Sequence, residues 1–367
     1  MTKIGLRKAW FQVHKWIGLI LAVLIIPISL TGSALVWHDP LDKALNPERY
    51  ALSGNALLPA SSYAAAAQAK LGVDERLQGV TLPEQAGEPV AVMASKPGKA
   101  RPQRVTLYLD PPTATVLDTA RSGEGAVQVM HRLHGSLMVP GVGRQIVGWI
   151  GVAMLISSIS GLWLWWPLTG SVRRGLRWKR HSNFDTNLHH QMGFWISLPL
   201  FVLSLTGVWI SFPQWFAGFE SASAQAAAGR PRSAPPLALP VGAMTRAIAA
   251  AEQAADGRAV AVTWPTERNP EWTVEITPAH GEPASVKVAA SDGTVSVEPD
   301  RGERPETLAR LMRRIHDGTD TPFAWQVIVF LGGILPAALA VTGIIMWWRA
   351  RRWRGELKVR QAARSAA

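Results

Sequence analysis

Four histidines fall in two matched pairs, and imidazole is a side chain that ligates iron while neutral. His14-Lys-Trp-Ile-Gly18 is followed by Leu30-Thr-Gly32, and His189-His-Gln-Met-Gly193 by Leu205-Thr-Gly207, so glycine stands 4 and 18 positions after the histidine both times. His134-Gly135 leads to Ser160-Gly161 and Trp165-Trp166, while His316-Asp317-Gly318 leads to Thr342-Gly343 and Trp347-Trp348, with glycine at +27 and the second tryptophan at +32. Coincident spacings of this kind mark a duplicated unit. A two-fold axis relating the copies would set His14 opposite His189 and His134 opposite His316. Two imidazoles converging from opposite sides are what a six-coordinate haem iron takes as axial ligands. An interfacial or proton-relay role for the four is the competing reading.

At about 100° per residue, positions 4 and 18 after a helical residue share its face. Gly18 and Gly32 are therefore expected beneath His14, and Gly193 and Gly207 beneath His189. A strip without side chains suits a flat macrocycle, or simply close helix packing. His190 points about 100° away from His189 and reads as its neighbour. His131, one turn before His134, is an alternative ligand there or a contact for a propionate or substrate; its counterpart in the second copy is Arg313. Cysteine is absent. That excludes iron–sulfur clusters, thiolate-ligated haem and covalent attachment through Cys-x-x-Cys-His, so any haem is expected to be non-covalent, of b type.

Long apolar segments must position these groups. Four runs contain no Asp, Glu, Lys or Arg: Ile17 to Trp37, Ile146 to Trp166, Met192 to Phe212 and Trp325 to Trp348. Each reaches the roughly 20 residues needed to cross a bilayer. The net charge of +12 resides in three segments: Lys3, Arg7, Lys8 and Lys15; Arg173, Arg174, Arg177, Lys179 and Arg180; and Arg349, Arg351, Arg352, Arg354, Lys358, Arg360 and Arg364. Basic residues flanking spans stay on the cytoplasmic side, which places both termini and the middle loop inside and two long loops outside. The charge is thus a topology signal and implies no nucleic acid. The first run is longer than a signal-peptide core and lacks a clean cleavage site before Asp39, so it is read as a retained span. Tryptophans near the span ends, Trp37, Trp149, Trp165, Trp166, Trp347 and Trp348, read as an aromatic belt.

The outer loops resemble each other. Each opens with an Ala-rich helical stretch, Tyr63 to Lys70 or Met244 to Ala255. Alternating segments follow: Arg104 to Leu109 in the first loop, and Val260 to Trp264, Trp272 to Ile276 and Val286 to Val288 in the second. Helix followed by period-two strands indicates two small α+β modules. The expected organisation is a first span at 10–38, an outer module at 39–130, a histidine segment with the second span at 131–167 and a basic inner loop at 168–188. Then come a third span at 189–213, a linker and second module at 214–311, a histidine segment with the fourth span at 312–348, and a basic tail at 349–367.

The histidine-bearing spans, the Thr-Gly signatures, the Trp-Trp ends and outer segments with Asp110-Pro-Pro-Thr-Ala-Thr-Val and Trp264-Pro…Trp272 resemble the PepSY-associated transmembrane family. Within it the chain is similar to the FoxB-type siderophore-iron reductases. The resemblance implies a four-helix transmembrane bundle of a duplicated two-span unit with two PepSY-like periplasmic modules, in the bacterial inner membrane. It further implies two b-type haems and reduction of periplasmic ferric siderophore, releasing ferrous iron for uptake. Some relatives carry a fused flavodoxin-like reductase; no Gly-rich dinucleotide fingerprint occurs here, so the expected electron donor is a separate quinol or cytoplasmic reductase. Two other functions remain open: a quinol-linked cytochrome reducing another periplasmic metal substrate, and a membrane-anchored sensor or peptidase regulator without haem.

Overall fold

The four charge-free runs form four long helices: α1 (Lys3–Leu35), α5 (Gly143–Trp165), α7 (Phe184–Ser211) and α10 (Phe323–Ala366). Each is long and apolar enough to cross a bilayer, where every backbone polar group must be satisfied within the segment. The structure, a computed structural model, describes residues 2–96, 103–166, 171–178, 181–220, 234–278, 284–299 and 307–366. The remaining α-helices among the described residues are α2 (His38–Leu45), α3 (Ala60–Gln68), α4 (Ala126–Ser136), α6 (Val172–Gly175), α8 (Val241–Ala255) and α9 (Leu308–Asp317). Most of the expected linker lies outside the described residues. The basic tail continues α10 as helix to Ala366.

Two compact units result. One comprises Met1–His38, Val129–Gln225 and Thr307–Ala367; the other comprises Asp39–Gln128 and Ala226–Glu306. In the membrane unit α1 packs on α5 and α10, and α7 packs on the same two, so α1 and α7 occupy opposite corners of a four-helix ring. Neighbours approach closely through small residues, as is usual in lipid. A Cβ added to Gly333 of α10 would lie 2.1 Å from the Ser33 hydroxyl of α1, and Ser33 donates to the Phe330 carbonyl at 2.6 Å. Apolar side chains such as Ile20, Val23, Trp195 and Leu198 face outward, where lipid replaces protein as the packing partner. Trp165 departs from the belt reading. It is 2% exposed and stacks on Phe194, with ring centroids 4.1 Å apart.

The second unit is one eight-stranded antiparallel sheet, where the sequence suggested two modules. Its strands are β1 (Arg76–Thr81), β2 (Val90–Lys96), β3 (Gln103–Leu109), β4 (Val116–Arg121), β5 (Gly257–Thr263), β6 (Glu271–Pro278), β7 (Ala284–Ala289) and β8 (Val295–Pro299). The order β4-β3-β2-β1-β5-β6-β7-β8 reads the same from either edge once the halves are matched. The join is β1 against β5, with Gly79 opposite Thr263, Val80 opposite Val262 and Thr81 opposite Ala261. A Cβ at Gly79 would lie 2.6 Å from the Val262 carbonyl oxygen, so the backbones meet where a side chain would not fit. Helices α3 and α8 share one core with both halves, around Tyr63, Met244, Val92, Leu107, Val274 and Trp272. Two separate small cores would each bury proportionally less surface than this combined one.

Local motifs hold the first half together. Asp110, 3% exposed, accepts from the Ser53 amide and hydroxyl at 2.9 and 2.5 Å and from Thr113 at 2.6 Å. Burial works to raise its pKa, and these hydrogen bonds outweigh it and bring the value below the usual carboxylate range. The Asp110-Pro-Pro-Thr segment is thus a stapled turn between β3 and β4. Arg49 is buried between Asp42 and Asp118, at 2.7 and 2.6 Å, and stacks on Tyr108.

Candidate metal centre

Each of the four matched histidines comes to rest on a Ser/Thr-Gly pair of a neighbouring span. His14 of α1 sits against Gly161 of α5, where a Cβ would lie 3.1 Å from the imidazole Cε1; its Nδ1 is 3.0 Å from the Ser160 hydroxyl. His189 of α7 repeats this on α10, its Cε1 3.7 Å from a Cβ at Gly343 and its Nδ1 2.8 Å from Thr342 Oγ1. At the other level, His134 of α4 lies over Gly32 of α1, with its Nδ1 2.8 Å from the Ile28 carbonyl. His316 of α9 lies over Gly207 of α7, its Nδ1 3.0 Å from both the Leu203 carbonyl and Thr206 Oγ1.

The glycine explains the reach. In a helix the carbonyl of residue i−4 lies beneath the side chain of residue i, and without a Cβ at Gly32 or Gly207 an imidazole can approach Ile28 or Leu203. These contacts also settle which ring nitrogen carries the proton. A carbonyl only accepts, so His134 donates from Nδ1. The Ser160 hydroxyl donates to the Ser157 carbonyl at 3.2 Å, and Thr342 donates to Ala338 and Leu339 at 2.9 and 3.1 Å. Both hydroxyls therefore accept from Nδ1–H of His14 and His189. His316 follows the same rule through Leu203. All four imidazoles are left with a bare Nε2, the form in which histidine ligates a metal while its other nitrogen is anchored.

Of the two pairs expected from the duplication, one meets ring to ring. His134 and His316 have ring centroids 5.9 Å apart with planes at 47°. His14 and His189, on the diagonal helices, lie within electrostatic reach of each other. Along α1, the distance from His14 to the stretch Ile28–Gly32 that receives His134 is about 21 to 27 Å. Outside the spans, burial first and His134 second depress the pKa of His316 to about 3, keeping it neutral and able to coordinate. Among the described residues no group of three or more His, Cys, Asp or Glu side chains gathers to cradle a bare metal ion. A metal held here by two imidazoles needs its remaining donors from a ligand such as a macrocycle. Glycine seats beneath the rings and free Nε2 atoms fit that demand.

The sequence matches the PepSY-associated TM region over residues 11–350, through all four spans and both loop segments. The chain belongs to the PepSY-associated TM family. No curated protein matches this family member.

In this PepSY-associated protein two of the four glycines seat histidines of other helices. Gly32 and Gly207 share a helix face with His14 and His189 in sequence, but they receive His134 and His316 from other helices. Gly18 has no atom within 4 Å of an added Cβ, and Gly193 meets only Leu339 at 3.9 Å. His190 stacks on His181 with centroids 4.5 Å apart, and Asn187 holds the His181 backbone by accepting from its amide and donating to its carbonyl, both at 2.7 Å. His131 lies beside His38, with centroids 6.5 Å apart. Burial lowers its pKa, His38 and His134 lower it further, and Asp317 opposes them. Ser160, Thr342, Ile28 and Leu203 were not foreseen as partners. The signal was present in Ser160-Gly161 and Thr342-Gly343, at matching distances from His134 and His316.

Proposed function

We propose that the protein is a haem-dependent membrane oxidoreductase that carries electrons across the bacterial inner membrane and reduces ferric siderophore on the periplasmic side. The observation that carries this reading is the His134–His316 pair, 5.9 Å apart at the ring centroids with both Nδ1 atoms engaged. Imidazoles on opposite sides of one metal, with bonds of about 2.0–2.1 Å, have centroids roughly 6 Å apart. His14 with His189 would hold a second haem at the other level.

Haem supplies reversible one-electron chemistry; the chain supplies binding, orientation and electrostatics. His14, His189, His134 and His316 present imidazole nitrogen, the Ser/Thr-Gly pairs fix the rings, and the bundle keeps water from the interior. Ferric iron in a siderophore is held by hard oxygen donors, and one added electron weakens that hold. The basic segments support a topology with both termini cytoplasmic and the sheet unit periplasmic. A quinol or a soluble reductase serves as donor.

The test is a spectrum followed by a reaction. Protein purified from haem-replete cells should show reduced-minus-oxidised bands, and acid-acetone should extract the colour. In vesicles with the sheet unit outward, the reduced protein should be reoxidised by a membrane-impermeant ferric siderophore, with ferrous iron trapped by a chelator. A colourless protein rejects the reading, and faster reaction in inverted vesicles reverses its direction.

A further inference from the structure

Four equivalent positions precede the glycine seats: Thr31, Ser160, Thr206 and Thr342. Their hydroxyls are not used alike. Ser160 and Thr342 lie 3.0 and 2.8 Å from the Nδ1 atoms of His14 and His189. Thr31 donates to the carbonyls of Pro27 and Ile28 at 2.6 and 3.1 Å, and His134 takes the Ile28 carbonyl in its place. The level of His14 and His189 therefore has a hydroxyl at both rings; at the other level His316 has Thr206 Oγ1 and the Leu203 carbonyl at 3.0 Å each, while His134 rests on the Ile28 carbonyl. Ser160 and Thr342 meet the rings of His14 and His189, so changing them alters the contacts of that level.

An acceptor on Nδ1–H draws the proton away from the ring and raises electron density at Nε2, which makes the imidazole a stronger donor to an oxidised metal. Each hydroxyl is itself polarised by the carbonyl to which it donates, because its O–H is engaged with Ser157 or with Ala338 and Leu339. We propose that Ser160 and Thr342 are positioning residues that set the electron affinity of the iron held by His14 and His189, and of that iron alone. This rests on the haem reading above. His14 and His189 remain the ligands, while the hydroxyls act through them by fixing the ring plane, the tautomer and the basicity of Nε2.

The experiment is a potentiometric titration of the purified holoprotein, with haem content measured beside it. Ser160→Ala and Thr342→Ala each leave one Nδ1–H without its hydroxyl, so the His14/His189 haem should titrate at a more positive potential. A tenfold change in its reduced-to-oxidised ratio corresponds to 59 mV for one electron. Main-chain carbonyls nearby keep the change at or below about that size. The His134/His316 haem should stay where it is. Ser160→Thr and Thr342→Ser keep a hydroxyl and should keep the wild-type potential; where an Ala variant loses its haem, retention in these variants carries the test. Thr31→Ala is the control at the equivalent position and should move neither potential. Two unmoved potentials in haem-replete Ala variants would overturn the proposal, as would a joint shift of both haems. A wild-type protein without haem would end the functional reading and this inference together.

Discussion

His134 and His316 stand 182 positions apart in the chain, yet their imidazoles lie 5.9 Å apart with planes at 47°. Each belongs to a short helix preceding a span of its own half, and each rests on a span of that same half, α1 or α7. The pair is completed only when both halves are folded together.

Haem content should divide along these pairs. His14→Ala or His189→Ala should remove one haem or make it five-coordinate; His134→Ala or His316→Ala should do so to the other. Each double variant within a pair should cost little more haem than its worse single, as expected for residues acting as one unit. Haem content and reduced-minus-oxidised spectra of the four singles and two doubles check this. Full occupancy with unchanged spectra in all six would defeat the assignment.

Gly32→Ala places a Cβ 2.6 Å from the His134 ring, well inside contact distance. We expect loss of most haem at the His134/His316 level, with the other level retained. Gly135→Ala adds its methyl next to the same histidine in open space, so haem content should match wild type. Equal effects of the two substitutions would show that the seat is not what orients His134.

The sequence carried part of this arrangement. Charge-free runs expose the spans, and duplicated spacing pairs the histidines, because both signals are written along a single segment. Periodicity within α1 reports which residues share a face with His14, but not that His134, over a hundred residues later, takes the place over Gly32. The same limit applies to the sheet. Arg104 to Leu109 or Trp272 to Ile276 are visible as alternating segments, whereas the partner across β1 is recorded in no local pattern. Strand β1 also has Gln78 and Gly79 at its centre, which weakens its own strand signal.

Gly79→Ala should strain the join between the halves of the sheet, since its Cβ meets the Val262 carbonyl at 2.6 Å. Overpacking of this kind costs about 1–3 kcal/mol. Hydrogen exchange on the full chain should show faster opening of β1 and β5, with the membrane helices unaffected. Protection equal to wild type would mean the backbones separate at no cost.

Acid should weaken the sheet unit through Glu75. The Gly72 amide donates to its carboxylate at 2.9 Å and Arg121 pairs with it, and these, in that order, hold its pKa below the ordinary 4.5. A carboxylate whose folded value is the lower one stabilises fully above the unfolded value, and that contribution disappears as pH falls through the folded value. The thermal midpoint of the sheet unit should therefore drop from pH 6 to pH 3, and Glu75→Gln should flatten part of that slope. An identical slope in the variant would remove Glu75 from the account.

Val80 opposite Val262 marks the centre of a junction that two copies of one strand edge would form about a dyad, with Gly79–Thr263 and Thr81–Ala261 placed symmetrically around it. Separate identical chains meeting this way would display every off-axis docking position twice. A single polypeptide carries no such obligation. His131 stands where the second half has Arg313, and His38 where it has Pro213. Equivalent positions in the two halves of the membrane unit are thus free to carry different side chains.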